Sequence, residues 1–269
     1  MQLIGFDIGF SEKKRTSGVA RLRGRVLSCS RATSEWDNRA VALGDGIADM
    51  AAIDGPILKN IDCPKRLCKT VFSCGCFGRR CKPGFSHVPG TGRKLRAAGK
   101  ETAEHMDNLT RGHNPACGFP RVLEGKNIVE AFPNAFLGVL LPDSRFKQMP
   151  KLRRREKFDW LYEQCRESHA LRSVVDHLGQ ENLAMVLRDI ETNRDHEERA
   201  ALVCLLTAAG VAAGRYTAVG DDEGGYFFLP SFALWKEWAR NEMETQRQRH
   251  LSATVWVDGE RFCASDSLP

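Results

Sequence analysis

The chain has 269 residues, of which 42% are hydrophobic and 28% charged, and carries a net charge of +6. That length gives room for one large core or for one domain with a substantial insertion, and the composition excludes a disordered or fibrous chain. No run approaches the ~20 apolar residues of a membrane span, and so modest a positive charge admits a polyanionic partner without requiring one.

In chain order, the first apolar run, Gln2–Asp7, is short and bounded by turn residues, which predicts a buried strand. With no charged-then-apolar leader in front of it, a cytoplasmic location is expected. Strands are predicted over residues 18–22 and 26–30 around Arg23-Gly24-Arg25, then a helix over residues 38–50. A strand ending on Asp54 is broken by Gly55-Pro56. This β-β-β-α-β order predicts an α/β protein, a mixed sheet covered by helices. The whole of residues 1–269 is read as one domain with two insertions, a cysteine-rich basic one at about 59–94 and a helical one at about 143–193.

The first insertion has no clear period and is expected to be a long loop. Five of the ten cysteines crowd there: Cys63, Cys68, Cys74, Cys76 and Cys81. Their spacings lack the paired Cys-x-x-Cys of a zinc knuckle, so reduced thiols packed near the core are expected, with a structural zinc as the alternative. A helix is predicted over residues 95–109 and a strand over residues 127–132 carrying Glu130, with Pro133 in the first turn of the next helix. Residues 153–193 read as charged helix. Asp195, Glu197 and Glu198 then open the most apolar helix, residues 199–213, which should be buried. Strands over residues 216–229, a helix over residues 231–250 and a hairpin at Val257-Asp258-Gly259-Glu260 complete the chain.

Asp7, Asp54 and Glu130 each fall at or near the end of a predicted strand. In open sheets the ends of parallel strands gather at one edge, where ligands bind. Singly, each acid has a structural role open to it: Asp7 or Asp54 in a turn, Glu197 and Glu198 at a helix N-terminus. Together they repel, and a hard divalent cation, magnesium or manganese, removes that repulsion. The expected metal ligands are Asp7, Asp54, Glu130, Glu197 and Glu198. The first four are the expected catalytic acids of a two-metal phosphodiester hydrolysis. Gly9 allows a sharp turn beside such a site. His196 could assist proton transfer or simply belong to a helix start.

Several segments resemble, in order, a family of predicted nucleases of the RNase H-like fold that is distantly related to Holliday-junction resolvases. They are Phe6-Asp7-Ile8-Gly9-Phe10-Ser11, Thr16-Ser17-Gly18-Val19-Ala20, Ala52-Ile53-Asp54-Gly55-Pro56, Val129-Glu130-Ala131-Phe132-Pro133 and the stretch from His196 to Ala208. Arg80-Cys81-Lys82-Pro83-Gly84 with Ser86, and Gly220-Asp221 and Gly224-Gly225 with Pro230, add to the likeness, which runs from Met1 to about Pro230. It implies an acidic nuclease site on a mixed sheet, with Asp7, Asp54 and Glu130 at the family's acidic positions. One departure stands out: Ala200 occupies the place where the family pattern has Asp. Glu197, three residues earlier on the same helical face, is the candidate replacement.

The leading expectation is therefore a metal-dependent nuclease acting on DNA or RNA, with Lys13, Lys14, Arg15, Arg79, Arg80 and Lys82 on phosphates. Two alternatives stay open. An actin-like nucleotide binder needs a second phosphate-binding turn, for which His87-Val88-Pro89-Gly90-Thr91-Gly92 is a poor candidate. A catalytically inactive RNase H-fold binding module would use the cysteine-rich insertion as a zinc-stapled surface. No Gly-x-Ser-x-Gly elbow supports a serine hydrolase.

Overall fold

The computed structural model describes residues 1–57, 66–81, 90–110, 119–120, 126–152, 154–263 and 265–269. Three strands form an antiparallel meander: β1 (Gln2–Asp7), β2 (Ser17–Arg23) and β3 (Val26–Ala32). Gly24, at φ 60°, takes the first position of the two-residue turn between β2 and β3, a backbone conformation that suits glycine. Helix α1 (Trp36–Leu43) follows, and β4 (Met50–Asp54) returns parallel to β1.

Helices α2 (Leu67–Val71), α3 (Gly75–Arg80) and α4 (Thr91–Met106) precede β5 (Ile128–Ala131), which runs parallel to β4. Six helices come next: α5 (Pro133–Gly138), α6 (Asp143–Lys147), α7 (Arg154–Glu167), α8 (Ala170–Leu178), α9 (Glu181–Thr192) and α10 (His196–Ala212). The hairpin of β6 (Tyr216–Asp221) and β7 (Gly225–Pro230), helix α11 (Glu237–Arg249), and the hairpin of β8 (Thr254–Val257) and β9 (Glu260–Phe262) complete the chain. The nine strands make one sheet in the order β3-β2-β1-β4-β5-β7-β6-β8-β9. Its centre, β1-β4-β5-β7, is parallel, and its flanks are antiparallel. The expected α/β class and mixed sheet are present, and no helix among the described residues is long and apolar enough to cross a membrane.

Side chains alternate across a strand, so the sheet has two chemically distinct faces. Ile4, Phe6, Ala51, Ile53 and Ile128 pack with Leu43 of α1 and Ala103 and Met106 of α4 on one. On the other, α10 lies against β1, β2 and β4. It is apolar nearly all round and buried along its length, as expected for a helix enclosed on every side. The close approach is set by two glycines. A Cβ on Gly5 would overlap the Ala201 carbonyl oxygen and the Leu205 amide nitrogen, and one on Gly18 would overlap the Glu197 carbonyl oxygen. Backbone cannot yield as a side-chain tip does, so Gly5→Ala should force α10 off the sheet. The expected loss is about 3 kcal/mol, the upper end of ordinary overpacking, read as a lower denaturation midpoint in urea.

Three boundaries differ from the sequence reading. The helix expected over residues 38–50 stops at Leu43, because Gly44 at φ 67° and Gly46 at φ 99° turn the chain before β4. The single helical stretch over residues 153–193 is three helices, broken at His169 (φ 58°) and Gly179 (φ 63°). The cysteine-rich loop contains two short helices, and Cys68, Val71 and Phe77 within them and Phe72 and Cys81 at their C-caps are buried at helical spacing. Cys68 and Cys81 are free thiols packed in the core, as the sequence reading expects. The hairpin at Val257-Asp258-Gly259-Glu260 forms as expected, with Asp258 at φ 49° and Gly259 at φ 95° in the left-handed region that an Asp-Gly turn favours.

Candidate functional site

Asp7 and Asp54 are register partners, each the last residue of its parallel strand. Neighbouring strands lie about 4.8 Å apart, so the two half-buried carboxylates stand side by side at the same end of the sheet. Both share the face of Gly5, two residues before Asp7, and hence the face covered by α10. Gly18, on which the Glu197 carbonyl rests, is the antiparallel partner of Asp7. The first turn of α10 is thereby held above the acid pair. Glu197 itself is 7% exposed. Cys204, two turns further along α10, is fully buried; burial drives its thiol well up, and the negative charges of Asp54 and Asp7 push it the same way.

Asp195 secures that turn as an N-cap, accepting from the backbone amides of Glu197 (3.1 Å) and Glu198 (3.2 Å), and pairs with Arg31 of β3 at 3.0 Å. His196 bonds Asp159 of α7 through Nδ1 at 2.9 Å, and its Nε2 lies 3.9 Å from Glu197 Oε2. Glu198 accepts from the Asn193 side chain at 2.8 Å, and its charge acts on Cys29 of β3.

Glu130 is placed differently. It is paired in register with Ile53, whose neighbours in sequence include Asp54, so alternation sends the two acids to opposite faces. There it is 4% exposed and gripped by Arg66, which donates from Nη1 to Oε1 at 2.7 Å and from Nη2 to Oε2. The Arg66 Nε donates to the Gly224 carbonyl at 2.7 Å, and its guanidinium lies over the Phe227 ring. Burial raises the Glu130 carboxyl above its ordinary range, while Arg66 and Lys69 pull the other way. The structure thus brings Asp7, Asp54 and Glu197 to one side and leaves Glu130 clasping α2 to the sheet.

Among the basic residues, Lys13, Lys14 and Arg15 are exposed on the loop between β1 and β2, just past Asp7. Arg79 is exposed and its guanidinium contacts the Cys76 sulfur at 3.1 Å. Arg80 pairs with Asp143 and lies 4.3 Å over the Trp238 ring and 5.2 Å over Phe146, joining α3 to α6 and α11. Lys82 and Cys63 lie outside the described residues.

Cys68 and Cys81 are buried, and burial pushes both thiols up to about 12. Cys74 and Cys76 are partly exposed. Iodoacetamide at pH 8 should therefore modify Cys263, Cys74 and Cys76 in the native protein and reach Cys68, Cys81, Cys165 and Cys204 only in denaturant, as read by peptide mass spectrometry.

Two buried arginines escape a reading that looks for acids. Arg39 donates from Nη2 to the Gly9 carbonyl at 2.8 Å and from Nη1 to Thr102 at 3.2 Å, fixing the turn after Asp7. Arg199 pairs with Glu163 and Asp159 and donates from Nε to the Asn193 carbonyl at 2.8 Å, which anchors the start of α10 to α7. Each directly precedes the apolar run of its helix, Ala40-Val41-Ala42-Leu43 or Ala200-Ala201-Leu202-Val203, and that is the signal a sequence offers for them.

Asp7, Asp54 and Glu197 on the α10 face are carboxylates, the donor type that suits a hard divalent cation, with the buried Cys204 thiol beside the first two. Among the described residues no three His, Cys, Asp or Glu side chains close on a common point, so the fit is one of donor type and placement. No protein-family model matches the chain, and neither a curated protein nor a solved structure matches it.

Proposed function

We propose that the chain is a divalent-metal-dependent nuclease of the RNase H-like fold. One observation carries the reading: Asp7 and Asp54 end adjacent parallel strands in register, under the helix turn that bears Glu197. The fold assignment is supported by the strand order β3-β2-β1-β4-β5, an antiparallel meander continued by two parallel strands.

Asp7 and Asp54 would hold magnesium or manganese, with Glu197 completing the donor set. When bound, such ions supply a nucleophilic water and stabilise the departing oxygen of a phosphodiester. The chain's own residues set the geometry. Arg39 and the Ser17 hydroxyl, which accepts from the Gly9 amide at 3.1 Å, fix the turn behind Asp7. Asp195 fixes the turn that carries Glu197. Lys13, Lys14 and Arg15 offer phosphate contacts that position the strand without reading its sequence.

Ala200, where the family pattern has Asp, is 5% exposed and packed in the core. In this reading the α10 carboxylate comes from Glu197, one turn nearer the helix start. The direct test is degradation of labelled DNA and RNA with magnesium or manganese, comparing the parent protein with Asp7→Asn. Metal-dependent cleavage lost in the variant supports the reading. Equal rates in both proteins, or no cleavage of either polymer, overturn it.

A further inference from the structure

Among the described residues, Phe10 is one of the few large apolar side chains left in solvent, at 38% exposure, and it stands three residues past Asp7. The turn that carries it is braced from several sides. Arg39 holds the Gly9 carbonyl and Ser17 the Gly9 amide. The Ser11 carbonyl accepts from the Ser34 amide at 2.9 Å, and the Ser11 hydroxyl accepts from the Lys14 amide at 2.9 Å. The Thr16 amide closes the turn onto the Lys14 carbonyl at 2.9 Å. An exposed aromatic on a fixed backbone has already lost the freedom that binding would otherwise cost. Past Ser11 and the exposed Glu12 come Lys13, Lys14 and Arg15, all facing solvent and outnumbering that one acid.

From this juxtaposition we infer that Phe10 is a stacking platform for an unpaired nucleobase, with Lys13, Lys14 and Arg15 taking the flanking phosphates, so that the substrate is single-stranded nucleic acid. The inference rests on the nuclease reading and narrows it. Every base offers a π face, so a ring and a few cations bind single strands with little sequence preference, whereas a duplex keeps its bases stacked on one another.

The test is equilibrium binding of fluorescein-labelled 12-nucleotide single strands and of the matching duplex, in EDTA so that cleavage plays no part, across a salt series. The expected result is preference of the parent for single strands and a 5- to 150-fold loss of that affinity, on the order of one stacked base, in Phe10→Ala. Phe10→Trp should keep the affinity and show tryptophan quenching on binding. Replacing Lys13, Lys14 and Arg15 together by Ala should lower the salt slope by about 2, at roughly 0.7 per phosphate contact. Unchanged single-strand affinity in Phe10→Ala, or tighter binding of duplex than of single strands, overturns the inference. A failed nuclease reading looks different: single strands bind through Phe10, but added magnesium or manganese produces no cleavage.

Discussion

Asp7→Asn is expected to lower metal-dependent cleavage about a thousand-fold while leaving the protein folded. The substitution keeps the size and shape of the side chain and removes one negative charge from the strand end where Asp7 and Asp54 stand in register, on the face covered by α10. Several kcal/mol of charge stabilisation depend on the ion these groups would hold, and about 4 kcal/mol corresponds to three decades in rate. Stability should move the opposite way or not at all. Carboxylates gathered at one edge repel, and removing one relieves that strain, a trade between activity and stability common at functional sites. Thermal melting without metal beside a cleavage time course with manganese reads both effects. A melting temperature lowered as far as activity would mean that Asp7 serves the fold instead.

Arg66→Met is the substitution expected to damage the fold most. Arg66 and Glu130 are 5% and 4% exposed, bonded through the two terminal guanidinium nitrogens and both carboxylate oxygens. Removing one partner of a buried pair leaves the other charge without compensation, at a cost of about 3–5 kcal/mol. In a chain of this size that is a fall of roughly 10 °C in melting temperature. The sign of the pH dependence follows. Without Arg66, burial raises the Glu130 carboxyl further, and a folded-state value above the unfolded one means that the folded state binds the proton more readily. The variant's deficit should therefore shrink as the pH falls from 7 toward 5. Replacing both residues, as Arg66→Met with Glu130→Leu, should cost less than Arg66→Met alone, because no buried charge is then stranded. A deficit independent of pH, or a double variant worse than the single one, would assign the loss to packing around Phe227 rather than to the pair.

Much of the fold is legible from local pattern. The strand at Gln2–Asp7, the Asp-Gly turn between β8 and β9 and the apolar run of α10 each follow from periodicity or turn chemistry within a few residues. Which face an acid takes is not legible in the same way. Asp54 and Glu130 both sit at or near the end of a strand, yet register pairs Asp54 with Asp7 and Glu130 with Ile53, one step out of phase. A single residue of register reverses the face, and register is decided by packing across the sheet. Arg66 compounds the difficulty, since it lies 64 residues from its partner. The same limit hid the role of Gly5. A glycine in a strand announces a close approach of some backbone, but only the fold identifies α10 as what approaches.

The most direct measurement is an anomalous difference map from crystals soaked in manganese. A peak on the α10 face of the sheet, within coordination distance of both Asp7 and Asp54, is the predicted result. An empty map there, with the ion beside Glu130 or nowhere on the protein, would contradict the account.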